Sequence, residues 1–201
     1  MMIHMEAALR HLRRKDPILK ALILKVGPYA MEYHAPTFHA LTRAIVYQQL
    51  SGKAASTIFS RFQNCCGVRT LRPESILVLS DEQMRAVGLS GQKVRYIRDL
   101  AEKTAAGDLR FGRHKKLSDE EIIAELTEVK GIGVWTVQMF LMFALRRPDV
   151  FPVLDLGVRN GMQRVYGLDP TAPHDAYTAV AENWRPYRSV ASWYMWRSLE
   201  L

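Results

Sequence analysis

The amino-acid sequence predicts an all-α protein, and three observations carry that prediction. Apolar residues recur at helical spacing along nearly the whole chain. Gly, Pro and serine-led capping patterns cut that periodicity into short segments, and no stretch has the alternation or hairpin turn of paired strands. The spacing of the breakers predicts about ten short helices.

Taken in order, Leu9, Leu12, Ile18 and Leu22 mark one or two N-terminal helices, interrupted at Pro17 and ended by Gly27-Pro28. "TFHALTRAIVYQQL", from Thr37 to Leu50, puts Phe38, Leu41, Ile45 and Gln49 near one stripe and stops at Ser51-Gly52. The next helix, "KAASTIFSRFQ", ends before Gly67, and Pro73 suits the first turn of another. Ser80 with Gln83, and Ser118 with Glu121, form capping boxes, in which each side chain of the pair satisfies an otherwise open backbone donor. Between them "GQKVRYIRDLAEKTAAG" is amphipathic and closes at Gly107.

Composition narrows the function classes. A chain of 201 residues, 48% hydrophobic, can bury a core in one domain or two small ones, which speaks against disorder. The net charge of +8 is spread along the chain and favours a polyanionic partner, nucleic acid first and an anionic membrane surface second; a merely basic soluble protein is the alternative. Cys65 and Cys66 are adjacent, so they cannot supply a zinc or iron–sulfur site, and they fit a reducing compartment. The histidines have no metal-ligand spacing. The N-terminus lacks a signal-peptide pattern, and "ALILKV" is too short to span a bilayer, so a soluble intracellular protein is expected.

The most informative stretch is "LTEVKGIGVWTVQMFLMFAL", Leu126 to Leu145, which reads helix, tight turn, helix. Gly131 and Gly133 permit positive φ and close approach of an external group to the backbone. A second helix starting near Val134 would offer its N–H groups and positive dipole end to an anion, with Lys130 beside it. An ordinary αα-turn with a glycine cap is the alternative. Against it, Val129, Ile132 and Val134 alternate with the glycines and can pin the turn to its helices, as in a helix-hairpin-helix motif, which grips the DNA backbone without reading sequence.

Followed by "FPVLDLGVRNG", this hairpin resembles the superfamily of base-excision DNA glycosylases defined by a hairpin, a Gly/Pro-rich loop and a downstream aspartate. "IVYQQLSGKAA", "LSGQKVRYI" and "WRPYRSVASWYMWR" narrow the resemblance to the 3-methyladenine DNA glycosylase II branch, over roughly Phe38 to Trp196. The resemblance implies a two-lobed helical fold with the active site in the cleft between lobes. It divides the chain into a central domain, 37–145, bearing a wedge loop and the hairpin, and a second domain, 1–36 with 146–201, formed by both termini. It also implies a monomeric enzyme that acts on damaged double-stranded DNA and excises alkylated purines. A non-catalytic hairpin module and a glycosylase for oxidised or mismatched bases are the rivals.

The resemblance assigns roles residue by residue. Asp155 matches the catalytic carboxylate; from the sequence alone it is also a good N-cap for a helix running to about Tyr166, and the two roles are compatible. Fixed negative charge there would stabilise an oxocarbenium-like sugar as an already cationic base departs. Strand-cutting relatives carry a nucleophilic lysine just after the second hairpin glycine; this chain has Trp135, which implies a monofunctional enzyme. Trp135 and Trp196 match aromatic walls of the base pocket, where a cationic purine is attracted to a π face. Met139 stands where some relatives have tyrosine, and Tyr33, His34 and Phe38 are candidates for a further wall. In "QQLSG", Leu50 or Ser51 would fill the space of the flipped nucleotide while Gln48 or Gln49 touches base edges; Leu50 as a core residue is the alternative. Lys53 and Lys93, with Lys130, Gly131, Gly133 and Val134, are the candidates for phosphate contacts. No cofactor is implied beyond a monovalent cation that main-chain oxygens of the hairpin can hold.

Overall fold

The computed structural model describes residues 5–201. Within them there are no strands. The elements are α1 (Met5–Lys15), α2 (Pro17–Val26), α3 (Phe38–Tyr47), α4 (Gly52–Cys65), α5 (Pro73–Leu77), α6 (Asp81–Ala86) and α7 (Gly91–Ala106), then a 3-10 segment (Phe111–Lys116), α8 (Asp119–Thr127), α9 (Val134–Phe143), α10 (Leu156–Tyr166), α11 (His174–Glu182) and α12 (Arg188–Ser198). Among the described residues no helix is long and apolar enough to cross a membrane.

Local chemistry accounts for most boundaries. The boxes at Ser80/Gln83 and Ser118/Glu121 form as the spacing predicts and start α6 and α8. α7 ends where Gly107 adopts a left-handed φ of 85°, and α10 ends the same way at Gly167, φ 68°. Pro17 opens α2 rather than merely breaking a helix: Asp16 caps it by accepting from Leu19 N–H at 2.9 Å, and the proline ring occupies the first helical position. Ile18, expected on the apolar stripe, is 47% exposed, because that restart rotates it outward while Leu12, Leu19 and Ile23 go inside.

The chain divides into two compact units. One is His34–Phe140. Its organiser is α7, whose Val94, Ile97, Leu100 and Ala101 are buried and which packs on α3, α5 and α6. Phe59 and Phe62 of α4 and Ile122 and Leu126 of α8 complete this core. His114 is fully buried here, bonded through Nε2 to Glu125 Oε1 at 2.9 Å, and anchors the 3-10 segment to α8.

The other unit joins the described residues up to Tyr33 with Leu141–Leu201. α10 packs along α12 at very close range, since a Cβ at Gly161 would overlap the Met195 backbone. The two chain ends are tied by a buried polar cluster: Asp16 Oδ2 accepts from Tyr166 Oη at 2.6 Å and from Trp184 Nε1 at 3.1 Å. Burial and that contact with Asp16 raise the Tyr166 phenol far above its ordinary range. Tyr194 Oη adds a bond to the Gly27 carbonyl at 3.0 Å, and together these bonds fix α2 against α10, α12 and the turn that follows α11.

Candidate functional site

In the unit His34–Phe140, two turns meet a shared support. The first follows α3. Gln49 adopts a left-handed φ of 57°, which a side chain rarely favours, and Leu50 emerges 38% exposed. That exposure removes the core alternative for Leu50. Ser51 then caps α4, its Oγ accepting from Ala54 N–H at 3.4 Å. Lys53 is exposed in the first turn of α4.

The second turn is the hairpin. Val129 (1% exposed) and Ile132 (4%) pin it as expected, but Val134 does not: it is 42% exposed at the start of α9. The glycines also divide the work differently from the expectation. Gly131 has φ 79° and lies against the Tyr96 ring, which a Cβ would overlap, so its conformation and its closeness serve a neighbouring side chain. Gly133 does not use positive φ; space is open within 4 Å of where its Cβ would stand, and this is the residue that leaves the backbone approachable.

Asp99 of α7 anchors the hairpin by accepting from Lys130 N–H at 2.9 Å, with the Lys103 and Lys130 ammonium groups at 3.4 and 3.6 Å. Burial pushes the Asp99 carboxyl upward, but these donors and charges outweigh it and hold it below the usual carboxylate range. The Lys130 side chain is 72% exposed.

Lys93 departs from its expected place on phosphate. Its Nζ donates to the carbonyl oxygens of Val46 at 2.6 Å and Gln48 at 2.8 Å, at the C-terminal end of α3, where unpaired carbonyls and the negative dipole end attract a cation. Burial holds its ammonium below the ordinary lysine range. Gln48 in turn donates through Nε2 to the Gly131 carbonyl at 3.0 Å, joining the first turn to the hairpin. Gln48, Gln49, Lys93, Tyr96, Trp135 and Met139 line one cavity of about 550 Å³. Trp135 is 41% exposed beside it. Phe38 does not line this cavity: it is 6% exposed and meets Phe111 edge-on at 6.5 Å, which makes it core.

In the second unit, Asp155 caps α10 and is 9% exposed. Its Oδ1 accepts from Val158 N–H at 2.9 Å and from Trp196 Nε1–H at 2.8 Å. The Trp196 indole stacks on Phe143 with centroids 5.7 Å apart and planes 19° from parallel. Gly157 makes this possible, because a Cβ there would stand 2.8 Å from Trp196 Cδ1 and 3.2 Å from Asp155 Oδ1. Leu154 and Leu156, on either side of Asp155 in the chain, are 49% and 62% exposed. Tyr33 belongs to this unit too, its hydroxyl 3.1 Å from that of Tyr29 and its ring under the Arg146 guanidinium. Such a carboxylate, fixed through the Val158 and Trp196 N–H donors, is held in one orientation. Among the described residues no His, Cys, Asp and Glu cluster could hold a metal ion.

Residues 42–186 match the family model of HhH-GPD superfamily base excision DNA repair proteins. The chain belongs to that superfamily. The HhH-GPD match contains both the hairpin and Asp155, whereas Trp196 lies beyond it. Among curated relatives, DNA-3-methyladenine glycosylase 1 of Schizosaccharomyces pombe is 39% identical over 198 residues, covering 95% of this chain and 86% of that protein. The crystal structure of a DNA-3-methyladenine glycosidase from Bacillus halodurans matches with a TM-score of 0.87 at 34% identity, over 94% of this chain and 87% of that one. The S. pombe 3-methyladenine DNA glycosylase in complex with abasic DNA matches with a TM-score of 0.84 at 36% identity, over 97% of each chain. These matches extend the likeness from sequence to fold.

Tyr96, Asp99, Phe143 and Gly157 escape a reading of the sequence. Asp99 looks like half of a solvated pair with Lys103 one turn on, and its main partner lies 31 residues away. Gly157 sits inside "DLGVRNG", and a glycine in a first helical turn was the available signal.

Proposed function

We propose that this protein is a monofunctional DNA glycosylase of base excision repair that hydrolyses the N-glycosidic bond of alkylated purines of the 3-methyladenine and 7-methylguanine type. The observation that carries the reading is the Asp155 carboxylate, held by the Val158 and Trp196 N–H groups at the head of α10, in a chain whose relatives are named for this activity. Damaged duplex DNA is the partner, and the compartment is the one that holds it.

The target nucleotide leaves the stack at a cost of a few kcal/mol. Leu50, exposed on its turn, takes the vacated space, and Gln49 reaches base edges. Lys130, Gly133 and the N-terminal end of α9 grip the backbone, with Lys53 adding charge. Trp135 and Met139 receive the extruded base, whose positive charge favours the indole face. When the bond between C1′ and the base nitrogen breaks, its electron pair leaves with the base and neutralises it, so leaving-group protonation is not required. Asp155 stabilises the positive sugar electrostatically, and a water oxygen then bonds to C1′ as its proton passes toward Asp155 or solvent. Both described hydrogen bonds to Oδ1 orient the carboxylate without adding positive charge. A monovalent cation on hairpin carbonyls would add to the backbone grip and enters no step of the chemistry.

The test is an excision assay over duplexes carrying 3-methyladenine, 7-methylguanine, ethenoadenine or hypoxanthine, with Asp155→Asn as control. Release by the unmodified protein is expected, with a loss of about a hundredfold or more in Asp155→Asn at preserved DNA binding. Binding of every duplex without release would leave a non-catalytic hairpin module. Borohydride should trap no covalent adduct, since Trp135 replaces the amine of the strand-cutting enzymes; a trapped adduct would contradict the monofunctional assignment.

A further inference from the structure

We propose that Lys93 is a positioning residue for the turn that presents Leu50: by bonding the Val46 and Gln48 carbonyls it keeps Gln49 in its left-handed conformation and holds the turn ready before DNA arrives. The inference rests on the glycosylase reading above, in which Leu50 replaces the extruded nucleotide.

The argument begins at the end of α3. A helix commonly finishes on a left-handed glycine, but here Gln49 takes that conformation at φ 57°. A residue in this region persists only when its surroundings over-determine it. Two contacts do so. The Lys93 ammonium lies 2.6 and 2.8 Å from two carbonyls on the approach to Gln49, distances typical of charge-assisted bonds. Gln48 closes the other side through its bond to the Gly131 carbonyl. Two of the three ammonium donors are thereby spent on the protein. Lys93 and Asp99 both belong to α7, so one rigid helix fixes this turn with the first residue and the hairpin with the second.

A phosphate contact and a positioning role predict different behaviour. The full-length protein and its Lys93→Met variant, which keeps side-chain length and removes the charge, are compared in single-turnover release of 7-methylguanine. One duplex pairs the lesion with cytosine, and the other places it opposite an abasic site, where extrusion needs less help from the protein. Lys93→Met should lose about tenfold more rate on the paired than on the unpaired duplex. Leu50→Ala should have the same selectivity, and the double variant should be no worse than Leu50→Ala, because both act through one turn. The salt slope of DNA binding should stay as in the unmodified protein, whereas Lys130→Met lowers it by about one. Lys93→Arg, which retains a cation, should recover part of the paired-duplex rate; it also serves as the test variant should Lys93→Met fail to fold, with a smaller selective loss expected.

Equal losses on both duplexes, additive effects with Leu50→Ala, or a salt slope reduced by about one in Lys93→Met would each overturn the positioning role. If the unmodified protein releases no base from either duplex, the glycosylase reading fails and this inference falls with it. Amide exchange separates the cases in the DNA-free protein: the Leu50 N–H, bonded to the Tyr47 carbonyl at 3.4 Å, should exchange about tenfold faster in Lys93→Met through local opening of the turn. Unchanged exchange would overturn the role independently of catalysis.

Discussion

At the scale of single residues, the site depends on the absence of one methyl group. Gly157 leaves room for the Trp196 indole to reach Asp155 Oδ1, and a Cβ would intrude to 2.8 Å from Trp196 Cδ1. Gly157→Ala should therefore move the indole off the carboxylate, costing about 1–3 kcal/mol of stability by overpacking. The activity loss should be larger, about tenfold to a hundredfold, because small misplacements of a reacting group are amplified in rate. Thermal melting and the excision rate measured on one preparation check both, and a variant that is less stable yet fully active would refute the link. At this scale the sequence is half legible. "PVLDLGVRNG" marks Asp155 as a cap, since its bond to Val158 N–H is three residues away; its bond to Trp196 spans 41 residues, and no local pattern encodes it. The partners of Lys93 are illegible for the same reason. An amphipathic helix tells that a lysine lies near the surface, not where its ammonium goes, and the carbonyls it meets are 45 and 47 residues away.

At the scale of elements, α7 is the beam from which the hairpin hangs. The Asp99 carboxyl lies below its ordinary range when folded, so its contribution is present above the unfolded carboxylate pKa and is lost as pH falls through the lower folded value. Acidification from neutrality should then release the Lys130 amide, and Asp99→Asn should remove that pH dependence while weakening the hairpin by about 1 kcal/mol. Amide exchange at Lys130 across an acid titration reads both effects; protection independent of pH in the unmodified protein would contradict the anchor. Elements are the most legible level. The capping boxes, the stop at Gly107 and the start of α9 at Val134 all follow from short-range backbone chemistry. The hairpin glycines are legible as a turn but not as a division of labour, because Tyr96, which claims the space at Gly131, arrives from α7.

At the scale of the whole molecule, the all-helical class and the family are readable from the spacing of breakers and from motifs in order along the chain. The composition of the unit that carries Asp155 is less so, since it is assembled from both ends. Asp16 is its keystone: a buried carboxylate that accepts from Leu19 N–H, Tyr166 Oη and Trp184 Nε1. Asp16→Ala takes the acceptor from the buried Tyr166 hydroxyl, leaves Trp184 Nε1 its 3.1 Å bond to Tyr166 Oη, and removes a cap, so a loss of about 3 kcal/mol is expected. Melting should fall by about 10 °C for a chain of this size. Calorimetry measures it, and a shift of less than a few degrees would sink the keystone role. The same bonds impose an order on biosynthesis. A chain emerging from the ribosome owns all of residues 34–140 well before Tyr166 and Trp184 exist to meet Asp16, or Trp196 to meet Asp155. The half that would grip DNA can fold early, as units do during translation. The half that would break a bond waits for α12, so a nascent chain would hold DNA before it could cut a base from it.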